Sequence, residues 1–377
     1  MVKSKDRIMK KLAILGASRP HLQLYMKARE MGLETHCIAW AEGAYCKDFA
    51  DFFHDISITD KEAVAELCAE YGIDGIVSNA LEPAVPTMAY VHDKCGLNGI
   101  SSLTAIRCTD KKLMRQCIKE YEACPQPEFS LLQDADLSSL TYPVIIKPTD
   151  SSCSNGVTKV TGQDQLQAAI DRAVTASRNG EILIEECIEG QEVSVESISF
   201  NGKHYILTVT DKETTGAPYF VETAHHQPSS KPAHLLDELK EYVVRIHDAL
   251  GIDNGASHAE FKITDDGKIY FIEIGARGGG DFISYELVRL STGYDYVKGM
   301  IEVALGEFNE PQIQQGRYSG VYFLSKDTED LREFIESNKN SEWAYDSHIE
   351  EGPLKSLRKS QDRSGWIIYS SDHKIER

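Results

Sequence analysis

Along the first hundred residues short apolar runs alternate with amphipathic stretches. Residues 12–15, 34–39 and 75–78 read as strands, and residues 20–31 and 61–71 as helices. Strands separated by helical patterns imply βαβ units and a parallel sheet. A helical stretch over residues 109–121 follows, with Thr109 or Asp110 placed to cap its first turn. Cys124-Pro125-Gln126-Pro127 then breaks the pattern and marks a connection. From residue 142 to about 202 the texture turns β-rich, and two apolar runs, residues 144–146 and 182–184, flank one helix over residues 163–178. Residues 237–250 are again helical, while residues 256–263 and 268–274 read as a hairpin turning on Asp265-Asp266-Gly267. Near the end, strand-like residues 320–324 and 365–369 enclose a helix over residues 329–337, a pattern that fits a small terminal subdomain. The fold class this predicts is α/β followed by α+β, with neither an internal repeat nor a low-complexity segment.

The turn after the first strand, Gly16-Ala17-Ser18-Arg19-Pro20, lacks the GxGxxG fingerprint, so the first lobe is expected to be Rossmann-like without a nicotinamide site. A chain of 377 residues exceeds one ordinary core, which implies two or three lobes and room for a ligand-sized cleft. Hydrophobic content of 41% and charged content of 26% are those of a globular chain. No apolar run reaches bilayer length, so no membrane partner is expected. A net charge of −19 repels a phosphate backbone and argues against nucleic acid. An acidic chain that binds phosphates must instead gather its few cations locally and bridge the remaining charge with a metal ion. The N-terminus carries Lys3, Lys5, Arg7, Lys10 and Lys11 but then an apolar run too short for a signal segment, and the nine cysteines form no CxxC pair. Both features lead us to expect a cytoplasmic chain with reduced thiols.

Four segments carry candidate chemistry. Ile145-Ile146-Lys147-Pro148 precedes Thr149-Asp150-Ser151-Ser152-Cys153-Ser154-Asn155-Gly156: a lysine at the end of a buried strand, then small hydroxyl residues whose backbone N–H groups suit phosphate oxygens. An ordinary Ser-rich turn beside a solvated lysine is the plainer reading. Ile184-Glu185-Glu186-Cys187-Ile188-Glu189-Gly190-Gln191-Glu192 offers an apolar floor, main-chain groups and carboxylates for a nucleoside, or simply a strand end with solvated glutamates. In His258-Ala259-Glu260-Phe261-Lys262 and Phe271-Ile272-Glu273-Ile274-Gly275-Ala276-Arg277, period-2 alternation sets two carboxylates on adjacent strands, a hard-oxygen site for Mg²⁺. Glu273 lies between isoleucines and needs a counter-charge, for which Arg277 or Lys262 would serve in a purely structural salt bridge. The Gly278-Gly279-Gly280-Asp281 run that follows permits close backbone approach to a ligand. Last, Thr109-Asp110-Lys111-Lys112 opens the interlobe helix, where a lysine either reaches a phosphate or faces solvent.

Taken in order, Asp110-Lys111, Ile146-Lys147-Pro148, Glu185-Glu186 with Glu192, then Glu260 and Glu273 with Arg277, the chain resembles the ATP-grasp superfamily. The likeness is nearest to the carboxylate-amine ligase branch that includes the L-amino-acid ligases. The resemblance implies a Rossmann-like domain over residues 1–108, an ATP-grasp domain over 109–310 with a nucleotide lobe at about 125–195, and a terminal subdomain over 311–377. It implies that Lys111 and Lys147 contact ATP phosphates beneath a loop containing Ser151, Ser152, Ser154, Asn155 and Gly156. Glu185, Glu186 and the main chain through Ile188 would address adenine, and Glu192 the ribose. Glu260 and Glu273 would hold Mg²⁺, for which Mn²⁺ can substitute, and Arg277 would steady the transferring phosphoryl group. Where many members carry Asn two residues after the second metal glutamate, this chain has Gly275, which puts one ligand of a second ion in question.

Glu222-Thr223-Ala224-His225-His226-Gln227 resembles the loop bordering the acceptor side, so His225, His226, His258, Gly278 and Gly279 are expected near substrate, although paired loop histidines are more often solvated. The activity implied is an ATP-dependent ligase joining a small carboxylate to an amine through an acyl phosphate, in a chain expected to pair as a homodimer. Two rivals stand beside it: a biotin-carboxylase-like carboxylating enzyme, although no lysine lies in a Met-Lys-Met context, and a nucleotide-binding regulatory module without chemistry.

Overall fold

Leu12 to Leu15 are apolar without a break because β1 (Lys11–Leu15) is the inside of a parallel sheet. The computed structural model describes residues 9–152 and 154–377; the first eight residues, with most of the N-terminal basic cluster, and Cys153 of the hydroxyl loop lie outside the described residues. In the first lobe β1 is followed by α1 (Leu22–Glu30), β2 (Glu34–Ala39), β3 (Phe52–Asp55), α2 (Lys61–Tyr71), β4 (Gly75–Val77), α3 (Val85–Cys95), α4 (Ser102–Thr109) and α5 (Lys111–Glu120). The sheet order is β3-β2-β1-β4, all parallel. Asp60 caps α2 by accepting from the Ala63 N–H, and Gly72, left-handed at φ 64°, ends it. At α5 it is Asp110, not Thr109, that caps, accepting the Leu113 N–H at 3.0 Å.

The second lobe holds β5 (Phe129–Leu131), β6 (Val144–Pro148), β7 (Thr158–Val160), α6 (Gln163–Ala176) and β8 (Ile182–Glu186), in the order β5-β8-β6-β7. The rest of the chain is β9 (Gln191–Phe200), β10 (Lys203–Thr214), β11 (Glu222–Gln227), α7 (Ala233–Leu250), β12 (Gly255–Ile263), β13 (Ile269–Gly275), α8 (Val288–Thr292), α9 (Tyr296–Ala304), β14 (Tyr318–Leu324), α10 (Leu331–Asn338), β15 (Ala344–Ile349) and β16 (Gly365–Ser371). These strands form one antiparallel sheet, β13-β12-β9-β10-β11-β14-β16-β15. The terminal strands therefore prolong the central sheet instead of forming a sheet of their own. Segment 222–227, read from the sequence as a loop, is strand β11 inside it.

The two faces of this sheet differ. Val193, Val195, Ala259 and Phe261 point to one side and pack with Leu239, Val243 and Ile246 of α7. Their alternates, Glu192, Ser194 and Glu196 on β9 and His258 and Glu260 on β12, point to the other. Farther along that second face Ile198 and Ala256 pack with α9 and the first lobe, so the polar end is left beneath the other lobes. Glu260 pairs with Glu273, but the next pair is Phe261 with Phe271, so Ile272 bulges. The bulge lets Phe271 enter the core while Glu273 joins Glu260 on the polar face. Among the described residues the cysteines are free thiols, and no helix is long and apolar enough to cross a membrane.

Candidate active site

Helix α5 ties the lobes together through two cations one turn apart. Lys111 Nζ donates to the Ser151 carbonyl at 2.7 Å and lies 3.3 Å from the Glu273 carboxylate. Arg115 Nε donates to Glu185 at 2.8 Å, and its Nη2 donates to the Ile272 carbonyl at 2.6 Å, the group exposed by the bulge. Lys147 reaches the other Glu185 oxygen at 2.6 Å. Lys111, Arg115, Lys147 and Glu185 are all buried.

Burial raises the Glu185 carboxyl, but Arg115 and Lys147 together outweigh it and hold the group down at about 2. Burial, with Arg115 and Lys111 adding repulsion, brings Lys147 down to about 8 against the pull of Glu185. Lys111 is raised: burial opposes its charge, but Glu273 and Glu82 favour it more.

The hydroxyl loop follows Lys147 and Pro148 in the chain. Ser154 is left-handed at φ 55° and Gly156 at φ 81°, and a Cβ on Gly156 would stand 2.6 Å from that of Ala176. Asn155 Nδ2 donates to Ser151 Oγ at 3.1 Å, and Asn155 N–H to the Ser152 carbonyl at 3.2 Å. The Glu185 carboxylate is turned inward onto Arg115 and Lys147. Glu186 is exposed beside it, and Ile188 is buried.

On the sheet face Lys212 of β10 is buried among three carboxylates, Glu192 at 2.8 Å, Glu260 at 2.7 Å and Glu222 at 3.4 Å. Burial opposes its charge, yet these neighbours raise it well above the usual lysine range. Glu260 also accepts from His258 Nε2 at 3.1 Å, and Lys212 and His258 outweigh burial to hold its carboxyl well below the carboxylate range. His258 rises to about 9, burial being overcome by Glu196 and Glu260.

The counter-charge of Glu273 is Lys111 rather than the Arg277 or Lys262 expected from the sequence. Arg277 Nε instead pairs with Glu82 of the first lobe at 2.9 Å, and its Nη1 donates to the Gly278 carbonyl. The departure at Gly275 has a steric reason: a Cβ there would meet Glu82 Oε2 at 3.0 Å and Arg277 Cζ at 3.1 Å. The Glu82–Arg277 pair fills the space an asparagine side chain would take. Gly278 and Gly279 are crowded likewise, by Ser284 and Asn79 and by Glu196 and His258.

The two histidines of β11 part company because neighbours in a strand face opposite ways. His225 pairs in register with Lys212 and shares its face, buried 3.8 Å from Asp281, with neither ring nitrogen hydrogen-bonded among the described residues. Burial lowers its basicity although Asp281 opposes this. His226 lies on the opposite face, bonded to the Tyr369 hydroxyl at 2.9 Å and to Glu213 at 3.1 Å. Neither ring is solvated. Arg363 pairs with Asp281 at 2.7 Å, donates to the Glu222 carbonyl at 3.0 Å and lies over the Phe323 ring at 3.8 Å.

Arg115, Lys212, Glu82, Glu196 and Arg363 went unread in the sequence. Only Arg115 left a signal, its i+4 spacing from Lys111 on one helix face.

Glu260 and Glu273 also pass a test of fit for Mg²⁺. Among the described residues no three carboxylate, imidazole or thiolate side chains converge on a ready metal cage, but Glu260 and Glu273 stand as an in-register pair of half-buried carboxylates. One or two carboxylates completed by phosphate oxygens are what this ion takes.

Residues 140–286 match the family model of the ATP-grasp domain. Alanine–anticapsin ligase of Bacillus subtilis is 26% identical over 276 residues, 63% of this chain and 57% of that protein, so the match spans little more than half its length. Formate-dependent phosphoribosylglycinamide formyltransferase of Corynebacterium jeikeium (strain K411) is 27% identical over 292 residues, 71% of this chain and 67% of that protein. The L-amino acid ligase structure from Bacillus licheniformis superposes with a TM-score of 0.79 at 23% identity, covering 97% of this chain and 94% of the other, which is agreement in fold. Residues 140–286 are thus similar to the ATP-grasp domain, and the chain as a whole shares the fold of the L-amino acid ligase structure.

Proposed function

We propose that the chain is an ATP-dependent carboxylate–amine ligase. The observation that carries this reading is the register pairing of Glu260 with Glu273, flanked by Lys111 on one side and Lys212 on the other. Paired carboxylates between two buried ammonium groups suit a polyphosphate and its counter-ion, and they are costly in a surface that only folds. The ligase names of the relatives point the same way.

In this reading Lys111, Lys147 and Lys212 bind ATP phosphates, the hydroxyl loop covers them, main chain 186–188 meets the adenine edge and Glu192 the ribose. Glu185 orients Lys147. Glu260 and Glu273 would hold Mg²⁺, which would supply neutralisation of phosphate charge. A substrate carboxylate oxygen attacks the γ-phosphorus in line, ADP leaves, and an acyl phosphate results. The amine then attacks the acyl carbon, phosphate leaves with the bonding pair, and an amide forms. Arg277 steadies the charge that develops on the acyl oxygen. Its partner Glu82 and the His225–Asp281–Arg363 group edge the same space and set the carboxylate and amine in place.

ADP release measured over a matrix of amino acids and small carboxylates tests this. Turnover should require Mg²⁺ and a carboxylate and rise when an amine is added. Tight ATP binding with no turnover anywhere in the matrix would reject the ligase in favour of a regulatory module.

A further inference from the structure

The buried carboxylate of Glu196 has no part in the scheme above. Glu196, on β9, is 0% exposed. The register of the sheet sets it opposite His258 and sets Ser194, two residues earlier, opposite Glu260. One Glu196 oxygen accepts from His258 Nδ1, and the other accepts the Gly279 N–H at 3.0 Å. His258 in turn donates through Nε2 to Glu260 at 3.1 Å. A Cβ on Gly279 would come within 2.8 Å of both Glu196 Oε1 and His258 Nδ1, so the glycine loop can sit where it does only because residue 279 has no side chain.

The carboxylate thus holds two separate pieces at once: the imidazole that aims Glu260, and the backbone of the loop that follows Arg277. We infer that Glu196 is a positioning residue, fixing through His258 the direction of the Glu260 carboxylate and through Gly279 the course of the glycine loop. The inference rests on the reading of Glu260 as a metal carboxylate. Partners that hydrogen-bond to the groups around a metal orient its ligands, and their loss typically weakens metal affinity about ten- to a hundredfold. A pair that served folding alone would have no such effect, because a buried ion pair contributes little that a well-packed neutral pair of similar shape does not.

The experiment uses Mn²⁺ with ADP as the probe, followed by electron paramagnetic resonance on the full chain. Glu196→Gln keeps size and an acceptor for Gly279 but presents no charge to His258. It should lower Mn²⁺ affinity about ten- to a hundredfold while metal-free ADP affinity stays as it was. His258→Gln severs the link from the other side and should reproduce the loss, so the test stands even if one variant does not fold. Ser197→Ala, on the opposite face of β9 where the hydroxyl bonds Ser257 Oγ at 2.7 Å, should lower stability yet keep Mn²⁺ affinity. Unaltered Mn²⁺ affinity in folded Glu196→Gln or His258→Gln overturns the inference alone. Failure of the unsubstituted chain to bind Mn²⁺ with ADP overturns the ligase reading and the inference together.

Discussion

An ammonium group buried between two other cations keeps its charge only through its carboxylate, and Lys147 is held that way by Glu185. Its ionisation near pH 8 gives two trends of opposite sign. As pH rises through about 8 the folded chain loses a positive charge from the proposed phosphate site, so ATP affinity should fall, by about tenfold per pH unit at most. The last proton of a phosphate leaves at about pH 6, below the pH at which Lys147 titrates. Stability moves the other way. Because the folded group releases its proton below the usual lysine range near 10.5, the unfolded chain binds more protons between about 8 and 10.5, and stability rises with pH across that window. Calorimetric ATP titrations from pH 7 to 9.5 check the first trend and denaturant midpoints the second. Lys147→Met should weaken ATP binding by about 2–3 kcal/mol, the worth of a charge-assisted contact, and flatten both curves. An affinity that stays constant with pH would remove Lys147 from the phosphate site. Glu185 acts at the acid end: its depressed carboxyl contributes stability that is present above pH 4.5 and is lost as pH falls towards 2.

Helix α5 joins these groups, and its two cations were unequally visible. Lys111 follows a capping Asp110 and stands out, whereas Arg115 is one more charge on an amphipathic helix until the fold brings Glu185 and Ile272 to it. Arg115→Met should cost about 3 kcal/mol of stability, since it leaves Glu185 with Lys147 alone, and should loosen the helix from β13; denaturant unfolding measures it. The same distinction runs through the chain. α2 could be read residue for residue because its pattern, cap and terminal glycine agree. The hairpin of β12 and β13 was legible from alternation, but the bulge at Ile272 was not, since nothing in Phe-Ile-Glu-Ile-Gly tells which isoleucine leaves the ladder. Neighbouring histidines in a segment of unknown conformation cannot be sorted by face, and only the register of β11 separates His225 from His226. Lys212 and Glu196 are single polar residues in long strands, and what they do is set by partners tens of residues away.

At the scale of the molecule, one sheet carries both the proposed metal carboxylates and the C-terminal strands, so the last strands are tied to those carboxylates through the sheet. Arg363, just before β16, is the connection: it grips Asp281 after the glycine run, the Glu222 carbonyl on β11 and the face of Phe323 on β14. It also holds the Asp281 carboxyl well below the usual carboxylate range against the effect of burial. That interaction stabilises the fold at pH values above the ordinary aspartate range and is lost as pH falls through and below it. Arg363→Met keeps much of the stacking on Phe323 and removes the charge. It should lower stability at pH 7 by about 3 kcal/mol and flatten the acid limb of the stability curve, because Asp281 then titrates nearer its usual range. If Asp281 and His225 border the acceptor side, the Michaelis constant for the carboxylate or amine should rise as well. ATP affinity should change little, because Arg363 touches none of the proposed nucleotide contacts (Lys111, Lys147, Lys212, residues 186–188 and Glu192) directly and reaches Lys212 only through their shared partner Glu222. A loss of stability with every kinetic constant intact would make the terminal strands a brace for the sheet and nothing more. A fall in ATP affinity would mean that the two sides of the cleft are coupled through the sheet itself. Melting curves at pH 4 and 7, with steady-state constants for ATP and for the second substrate on the same preparation, separate these outcomes.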